Sequence, residues 1–501
     1  MHHKTALILA AVAVFVTSSA ASSDAQVFGA PPTLIKVSAD PFSNPSSQHK
    51  TEVEPATATF GNMIVSAFQT GRVADGGSAD IGWATSADGG ASWRFGFMPG
   101  ITKAQKPTNK YDAVSDPSVA FDRKHGVWLV SSLPISNTLP SSPAVLISRS
   151  TNGINWLRPV GIAPRTQSAD KNWVTCDNTP TSPFYGHCYN EWDEPAGGDL
   201  IMMSKSSDGG ATWSRPLTTQ NQDAGLGGEP LVQPNGTVIV PIEGGQGIGA
   251  YRSTDGGHTW SGLVNVAEVF WGGDPGGVRA SPLPSASMDA NGKIYVSWED
   301  CRFRLNCTSN DIVYTTSMDG LTWTPVKRVP IDAKDSGVDH FDPGFGVQPT
   351  TSGPTTNIGV YFYFFSNANC NEFTCQLGVG FISSHNGGSS WNPAIVLAGP
   401  MKLDWLPQSQ NGLMVGDYIT TGFINDLAWS VFAVANAPTG GVFDEAMYVP
   451  AGGLAIPQFG PQRTATFDVA YNDQRFRHHW TPLPPKSKKA SKSSKAVIEH
   501  D

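Results

Sequence analysis

An acidic residue standing immediately before proline recurs along the chain: Glu54 in VEPATATF, Asp116 in SDPSVAFD, Glu229 in GEPLVQPNG and Asp342 in FDPGFGVQP. Looser copies of the same segment start at Asp170 in DKNWVTCD, at Ser281 in ASPLPSASMD and at Asp417 in GDYITTGF. Carboxylates gathered from such repeats can do three things. They can hold a hard cation such as Ca2+ through oxygen ligands. They can divide into general acid and base where neighbours push their pKa values apart. Or they can accept N–H groups of a neighbouring strand and set its register. Asp116, Asp342 and Asp417 are the candidate Ca2+ ligands, and no other cofactor is required.

A second set of polar residues falls in irregular segments. Arg72, Asp75 and Asp80 lie in TGRVADGGSAD, Glu191, Trp192, Asp193 and Glu194 in NEWDE, and Glu243 in IEGGQG. Glu299, Asp300, Arg302 and Arg304 lie in WEDCRFRLNC. Guanidinium groups recognise carboxylates and hydroxyls in forked geometry, and an exposed Trp such as Trp192 or Trp271 can stack on a sugar ring.

The elements that must position these groups are marked by a repeated octet. SADGGASW (86–93) returns as SSDGGATW (206–213) and STDGGHTW (253–260), with looser copies starting at Ser150, Ser317 and Ser384. Asp-Gly and Gly-Gly supply the positive φ of a tight hairpin turn, Ser and Asp can bond the turn's own backbone, and the Trp can fold beneath it. The copies are about 45 to 70 residues apart, the spacing of four-stranded propeller blades. Upstream of each octet come an acidic strand start, a second apolar run such as NMIVSAF or GKIYVSW, and a third run such as DIVYTTS. Seven strand starts accompany six octets. The expected fold is therefore all-β, a seven-bladed β-propeller over residues 32–478, with six blades as the alternative. Strand starts and the loops between second and third strands would share the top face, and the octets the bottom.

The 501 residues carry 53 Gly, 38 Pro and a net charge of −9, which favours short strands and turns and argues against a phosphate-binding nucleic-acid surface. The basic start and apolar run of MHHKTALILAAVAVFVTSSAASSDAQ read as a secretory signal peptide over 1–25, so a secreted protein, extracellular or periplasmic, is expected. No later stretch is long and apolar enough to span a bilayer. In an oxidising compartment the close pairs Cys176/Cys188, Cys301/Cys307 and Cys370/Cys375 read as local disulfides. Residues 479–501 are rich in Lys, Ser and Pro and read as a basic disordered tail. A monomer is expected.

The octet resembles the Asp-box, or bacterial neuraminidase (BNR) repeat, of sialidase-like β-propellers, and the resemblance runs from about Lys36 to Asp473. It implies that the octets are structural and lie opposite an active site. The first repeat follows the order of a sialidase first blade, so Arg72 corresponds to an arginine closing the second strand and Asp75 (or Asp80) to the general acid. The resemblance also implies catalytic support from Glu229 or Glu299, a nucleophile at Tyr418, and substrate contacts from Arg72, Arg279, Arg302 and Trp192. The chain departs from the sialidase pattern at three points. Val53 stands where the first carboxylate-gripping Arg is usual, Val232 where a Glu partners the nucleophile, and Ala280 where the nucleophilic Tyr is usual.

The implied activity is hydrolysis of a terminal glycosidic bond on a glycan, with sialic acid disfavoured by the acidic axis. The alternatives are a non-catalytic glycan- or protein-binding propeller with structural Ca2+, and a polysaccharide lyase with His340 as base.

Overall fold

The computed structural model describes residues 31–137, 142–166 and 168–458, the backbone of 463–464, and positions 475, 477 and 478. The expected signal peptide (1–25) and basic tail (479–501) lie outside the described residues. Among the described residues the regular structure is antiparallel β-sheet, interrupted by short 3-10 turns.

The first sheet comprises Glu52–Phe60, Met63–Arg72, Ser78–Ser86 and Arg94–Phe97, and the second Ala113–Asp122, Val127–Ile135, Val145–Ser150 and Val160–Ile162, the two joined through the single pair Ser78 opposite Val114. The third has Asp170–Cys176, Cys188–Glu194 and Leu200–Ser206. The fourth has Leu231–Val232, Val238–Gly244, Gly247–Ser253 and Val264–Phe270, with Arg477–His478 added at its edge. The fifth runs Ser285–Met288, Ile294–Asp300, Asp311–Ser317 and Lys327–Arg328; the sixth runs Asp339–Val347, Ile358–Phe365, Gln376–Ser384 and Ile395–Lys402. The last group joins Gly422–Ile424, Leu427–Trp429 and Leu454–Ala455 in one ladder, and Phe432–Thr439, Val442–Pro450 and Leu34–Lys36 in another. The N-terminal strand thus pairs with the last long strand, Leu34 opposite Pro450.

First strands of successive sheets lie side by side. Glu52–Phe60 contacts Ala113–Asp122, and the series continues through Asp170–Cys176, Leu231–Val232, Ser285–Met288, Asp339–Val347 and Gly422–Ile424 back to Glu52–Phe60. Side chains stitch these neighbours. Val174 N–H donates to Ser118 Oγ at 3.1 Å, Phe345 N–H to Ser285 Oγ at 3.1 Å, and Val347 N–H to Ser287 Oγ at 2.9 Å. Thr421 Oγ1 donates to Gly344 O at 2.6 Å, and Thr59 Oγ1 to Phe423 O at 2.9 Å. Small hydroxyl residues on these strands let the backbones approach. At Gly346 a Cβ would lie 2.6 Å from that of Thr421. Between sheets, Trp128, Trp192, Trp298 and Trp391 are fully buried and fill the core.

The octets fold as local turns. Ser86 Oγ donates to Asp88 Oδ1 at 2.8 Å and accepts Gly90 N–H at 2.8 Å, while Asp88 Oδ1 accepts Ser92 N–H at 2.9 Å. The same bonds recur around Ser206 and Ser253. The octet Ser faces the start of the preceding second strand: Ser86 faces Ile64, Ser206 faces Cys188, Ser253 faces Val238 and Ser317 faces Ile294. Five residues further along those strands stand Gln69, Asp193, Glu243 and Glu299, so the turn register fixes where polar groups emerge at the other end. All three expected disulfides are formed, and Cys176–Cys188 joins directly opposed residues of the third sheet.

Candidate functional site

The first strands carry a shared irregularity. Pairing slips between Val53 and Ala56, Ser115 and Ser118, Asp170 and Trp173, and Phe341 and Gly344. The residue at each bulge adopts positive φ: Glu54 (62°), Asp116 (49°), Lys171 (49°) and Asp342 (45°). Such backbone is unfavourable for a side-chain-bearing residue and re-aims the side chain out of the pleat. The third repeat therefore presents Lys171 where Asp170 was expected, because its bulge falls one residue later relative to the acidic residue.

Lys171 organises a buried ionic cluster. Its Nζ donates to Asp417 Oδ2 and lies 3.7 Å from Glu54 Oε1; its backbone N–H donates to Asp116 Oδ2 at 3.1 Å. Arg279 grips the same Asp417, Nε to Oδ1 at 2.7 Å and Nη2 to Oδ2. Burial alone would raise Asp417, but Arg279 and Lys171 hold its carboxyl far below the usual range. Glu54 behaves oppositely. Burial, then the charge of Asp116, pushes it up to about 8 despite the nearby ammonium, because Lys171 is in direct contact with Asp417 rather than with Glu54. Gln69 Nε2 donates to Glu54 Oε2, and Arg72 Nη1 to Gln69 Oε1 at 2.7 Å, so Arg72 joins the cluster's edge.

A second cluster lies between the fifth and sixth sheets and contains no basic residue. Asp274, half-buried in the loop WGGDPGG, accepts Trp271 Nε1 at 3.2 Å. It also touches Asp339 and Glu299, carboxyl to carboxyl, contacts that become hydrogen bonds only if one partner keeps its proton. Burial pushes Asp274 up to about 6; protonated Asp339 and the indole N–H of Trp271 hold it from going higher. Glu299 and Asp339 are raised well above their ordinary range, by burial and then by the charge of Asp274. Asp342 is raised by burial and by the charges of Asp417 and Asp274, so it links the two clusters. Asp274, the half-buried member, is raised the least of the three; Glu299 and Asp339 are proton-bearing residues beside it.

Several expected residues have other positions. Asp75 is exposed at the turn tip, and its backbone carbonyl accepts Gln410 Nε2. Glu229 Oε2 accepts Ala286 N–H at 2.6 Å, and burial pushes the carboxyl up to about 8; it registers the fifth sheet and lines a cavity among the first strands. Tyr418 Oη donates to Pro117 O at 2.8 Å, its ring meets Trp173 edge-on, and burial beside Glu54 raises the phenol well above its ordinary range, so a phenolate nucleophile is disfavoured. Trp192 is fully buried with Nε1 on Glu194 Oε1 at 3.2 Å, a core position rather than a stacking platform. Arg302 is held by Asp300, Nε to Oδ1 at 2.8 Å, with its guanidinium over the Phe270 ring.

The three expected Ca2+ ligands form no single centre. Asp116 and Asp417 are bonded to Lys171 and Arg279, a cationic environment that does not suit a metal, and Asp342 belongs to the second cluster. Asp311, Asp332 and His340 are close enough for a shared ion, but Arg304 and Arg328 already neutralise both aspartates. His340 is buried beside that network at 1% exposure.

Lys171, Asp274 and Asp339 are the residues that the sequence did not single out. The one signal for Asp274 was its glycine-flanked loop, and for Lys171 its place beside the acidic strand start.

None of the curated proteins matches this sequence. Among solved structures, a polysaccharide lyase (ulvan lyase) aligns over 86% of this chain and 98% of its own at 12% identity, TM-score 0.49. A Hadza microbial sialidase aligns over 81% and 66% at 15% identity, TM-score 0.40. The NanB sialidase from Streptococcus pneumoniae aligns over 84% and 70% at 12% identity, TM-score 0.38. The model of the BNR repeat-like domain matches residues 137–412, more than half of the 501 residues. The chain belongs to the BNR repeat-like domain family.

Proposed function

We propose that this chain is a secreted, seven-bladed β-propeller (residues 32–478) that hydrolyses a terminal glycosidic bond, with Asp274 as general acid. The return of the seventh first strand to Glu52–Phe60 and the pairing of Leu34–Lys36 with the last sheet support the blade count. The observation that carries the chemistry is the carboxyl cluster. Burial pushes half-buried Asp274 up to about 6, while Glu299 and Asp339 keep protons against it. A glycosidic oxygen leaves far more readily when a positioned acid protonates it, an effect of about 10²–10⁴-fold. Asp417 supplies the contrasting, permanently ionised carboxylate, and Asp342 feels both.

The basic groups argue against an anionic terminal sugar. Arg279 and Lys171 are committed to Asp417, Arg302 to Asp300, and Arg72 to Gln69 and Gly77 O. A neutral glycan fits a rim made of carboxyls and the half-buried Trp271. His340, the base that a lyase would need, is enclosed by the Arg304–Asp332 network.

The test is a screen of plant and microbial glycans and neutral glycosides with the wild-type protein and with Asp274→Asn. Sugar release lost in Asp274→Asn supports the proposal. Glycan binding without release from any substrate favours the binding-module reading.

A further inference from the structure

Six of the first strands, with Thr420 and Thr421 just before the seventh, line one cavity of about 250 Å³. Its Phe60 end lies on the octet side, where Gly89 N–H of the first octet donates to Asn62 O at 2.9 Å. Its mouth lies beside Phe60, a large apolar side chain left 39% exposed and stacked on Phe121 at 4.1 Å between ring centroids. Trp173 adds a third ring to the wall. Deeper in, Ser285 and Ser287 Oγ accept the amides of Phe345 and Val347, and no acceptor for their own protons occurs among the described residues. The half-buried Thr175 hydroxyl has no side-chain hydrogen bond among the described residues. At the inner end lies Glu229, one oxygen on Ala286 N–H. Among the described residues no Lys, Arg or His lines the space.

We propose that this cavity is a second ligand site, on the face opposite the carboxyl clusters, for a single neutral sugar residue. The chemistry selects that class. Aromatic rings at the entrance take the apolar face of a sugar, and hydroxyl donors with a carboxyl acceptor at depth match its alcohols. Absence of a cationic group among the lining residues disfavours a carboxylated or phosphorylated ligand, which would face Glu229 uncompensated. Because burial keeps Glu229 protonated through neutral pH, it can donate as well as accept. A sugar-binding site on the octet face would hold the protein on a glycan while the other mouth acts on a chain end. The proposal stands independently of the hydrolytic one.

The experiment is calorimetric titration of the full chain with D-glucose, D-galactose and N-acetyl-D-glucosamine, with N-acetylneuraminic acid as the anionic control. Thr175→Met fills the cavity, Ser287→Ala removes a donor, and Asp274→Asn alters only the other site; melting curves establish that each variant is folded. The expected result is binding of at least one neutral sugar, none of the acid, at least tenfold weakening in Thr175→Met or Ser287→Ala, and no change in Asp274→Asn. Absence of neutral-sugar binding by the wild type overturns the proposal. So does binding weakened by Asp274→Asn but untouched by either cavity variant. If Thr175→Met does not fold, the Ser287→Ala arm and a crystal soaked with the tightest sugar decide, density outside the cavity being contradictory.

Discussion

Arg279 holds Asp417 side-on, Nε donating to Oδ1 at 2.7 Å and Nη2 to Oδ2, so the arginine that the sequence offers as a substrate contact is saturated by an internal carboxylate. Arg279→Ala leaves Asp417 buried with Lys171 alone. Breaking a buried pair from one side costs about 3–5 kcal/mol. The expected outcome in urea unfolding is a loss of that size, with no binding of N-acetylneuraminic acid before or after the substitution.

Three glutamates make stability fall with rising pH. Burial pushes Glu52, Glu54 and Glu229 each up to about 8. A carboxyl raised in the folded state holds its proton there while the unfolded chain releases it. Its stabilising contribution is complete below the unfolded value near 4.5 and is lost as pH climbs to about 8. Thermal melts are therefore expected to give a clearly higher Tm at pH 5 than at pH 8.5. Glu52→Gln, whose site joins Ser38 and Met447 N–H at the seam of the first and last sheets, should reduce that difference, Glu54 and Glu229 keeping the rest.

The octets are expected to contribute stability and no chemistry. Ser206 Oγ bridges Asp208 and Gly210 N–H. Ser206→Ala leaves that amide unbonded, at a cost of about 1–2 kcal/mol. Chemical denaturation should register the loss, while sugar release per folded molecule should stay unchanged.

Trp271 tunes the proposed acid. Its Nε1 bond to Asp274 Oδ2 favours the ionised carboxylate. Trp271→Phe removes that donor, so Asp274 keeps its proton to higher pH. Activity that needs protonated Asp274 falls as pH rises through about 6 in the wild type. In the variant the fall is expected about one to two pH units later, since a hydrogen bond to a charged group is worth roughly 1.5–3 kcal/mol. A pH–rate profile of kcat/KM reads the shift directly.

The sequence made the octets, the sheet order and the disulfide pairs legible because each is written in a short contiguous stretch. Ser86 and Asp88 bond within their own turn, and Cys301 and Cys307 close a loop six residues apart. The site was less legible because it is assembled across strands far apart in the chain. A bulge displaced by one residue exchanges Asp170 for Lys171 and turns an expected ring of carboxylates into an ion-paired cluster. Asp274 gains its character from Glu299 and Asp339, 25 and 65 positions later, a relation no local pattern carries. Trp192 looked available because its loop-like sequence ends a strand that is in fact buried, and Arg302 because nothing local shows that Asp300, two residues before it, holds its guanidinium.

The central claim is that Asp274, and not Asp75, protonates the leaving group of a glycosidic bond. The decisive measurement is product analysis on the best glycan substrate with wild type, Asp274→Asn and Asp75→Asn in parallel. The account predicts a saturated reducing sugar from the wild type, loss of at least about 10²-fold in Asp274→Asn, and full activity in Asp75→Asn. An unsaturated, ultraviolet-absorbing product, or an Asp274→Asn protein that stays active while Asp75→Asn fails, would contradict it.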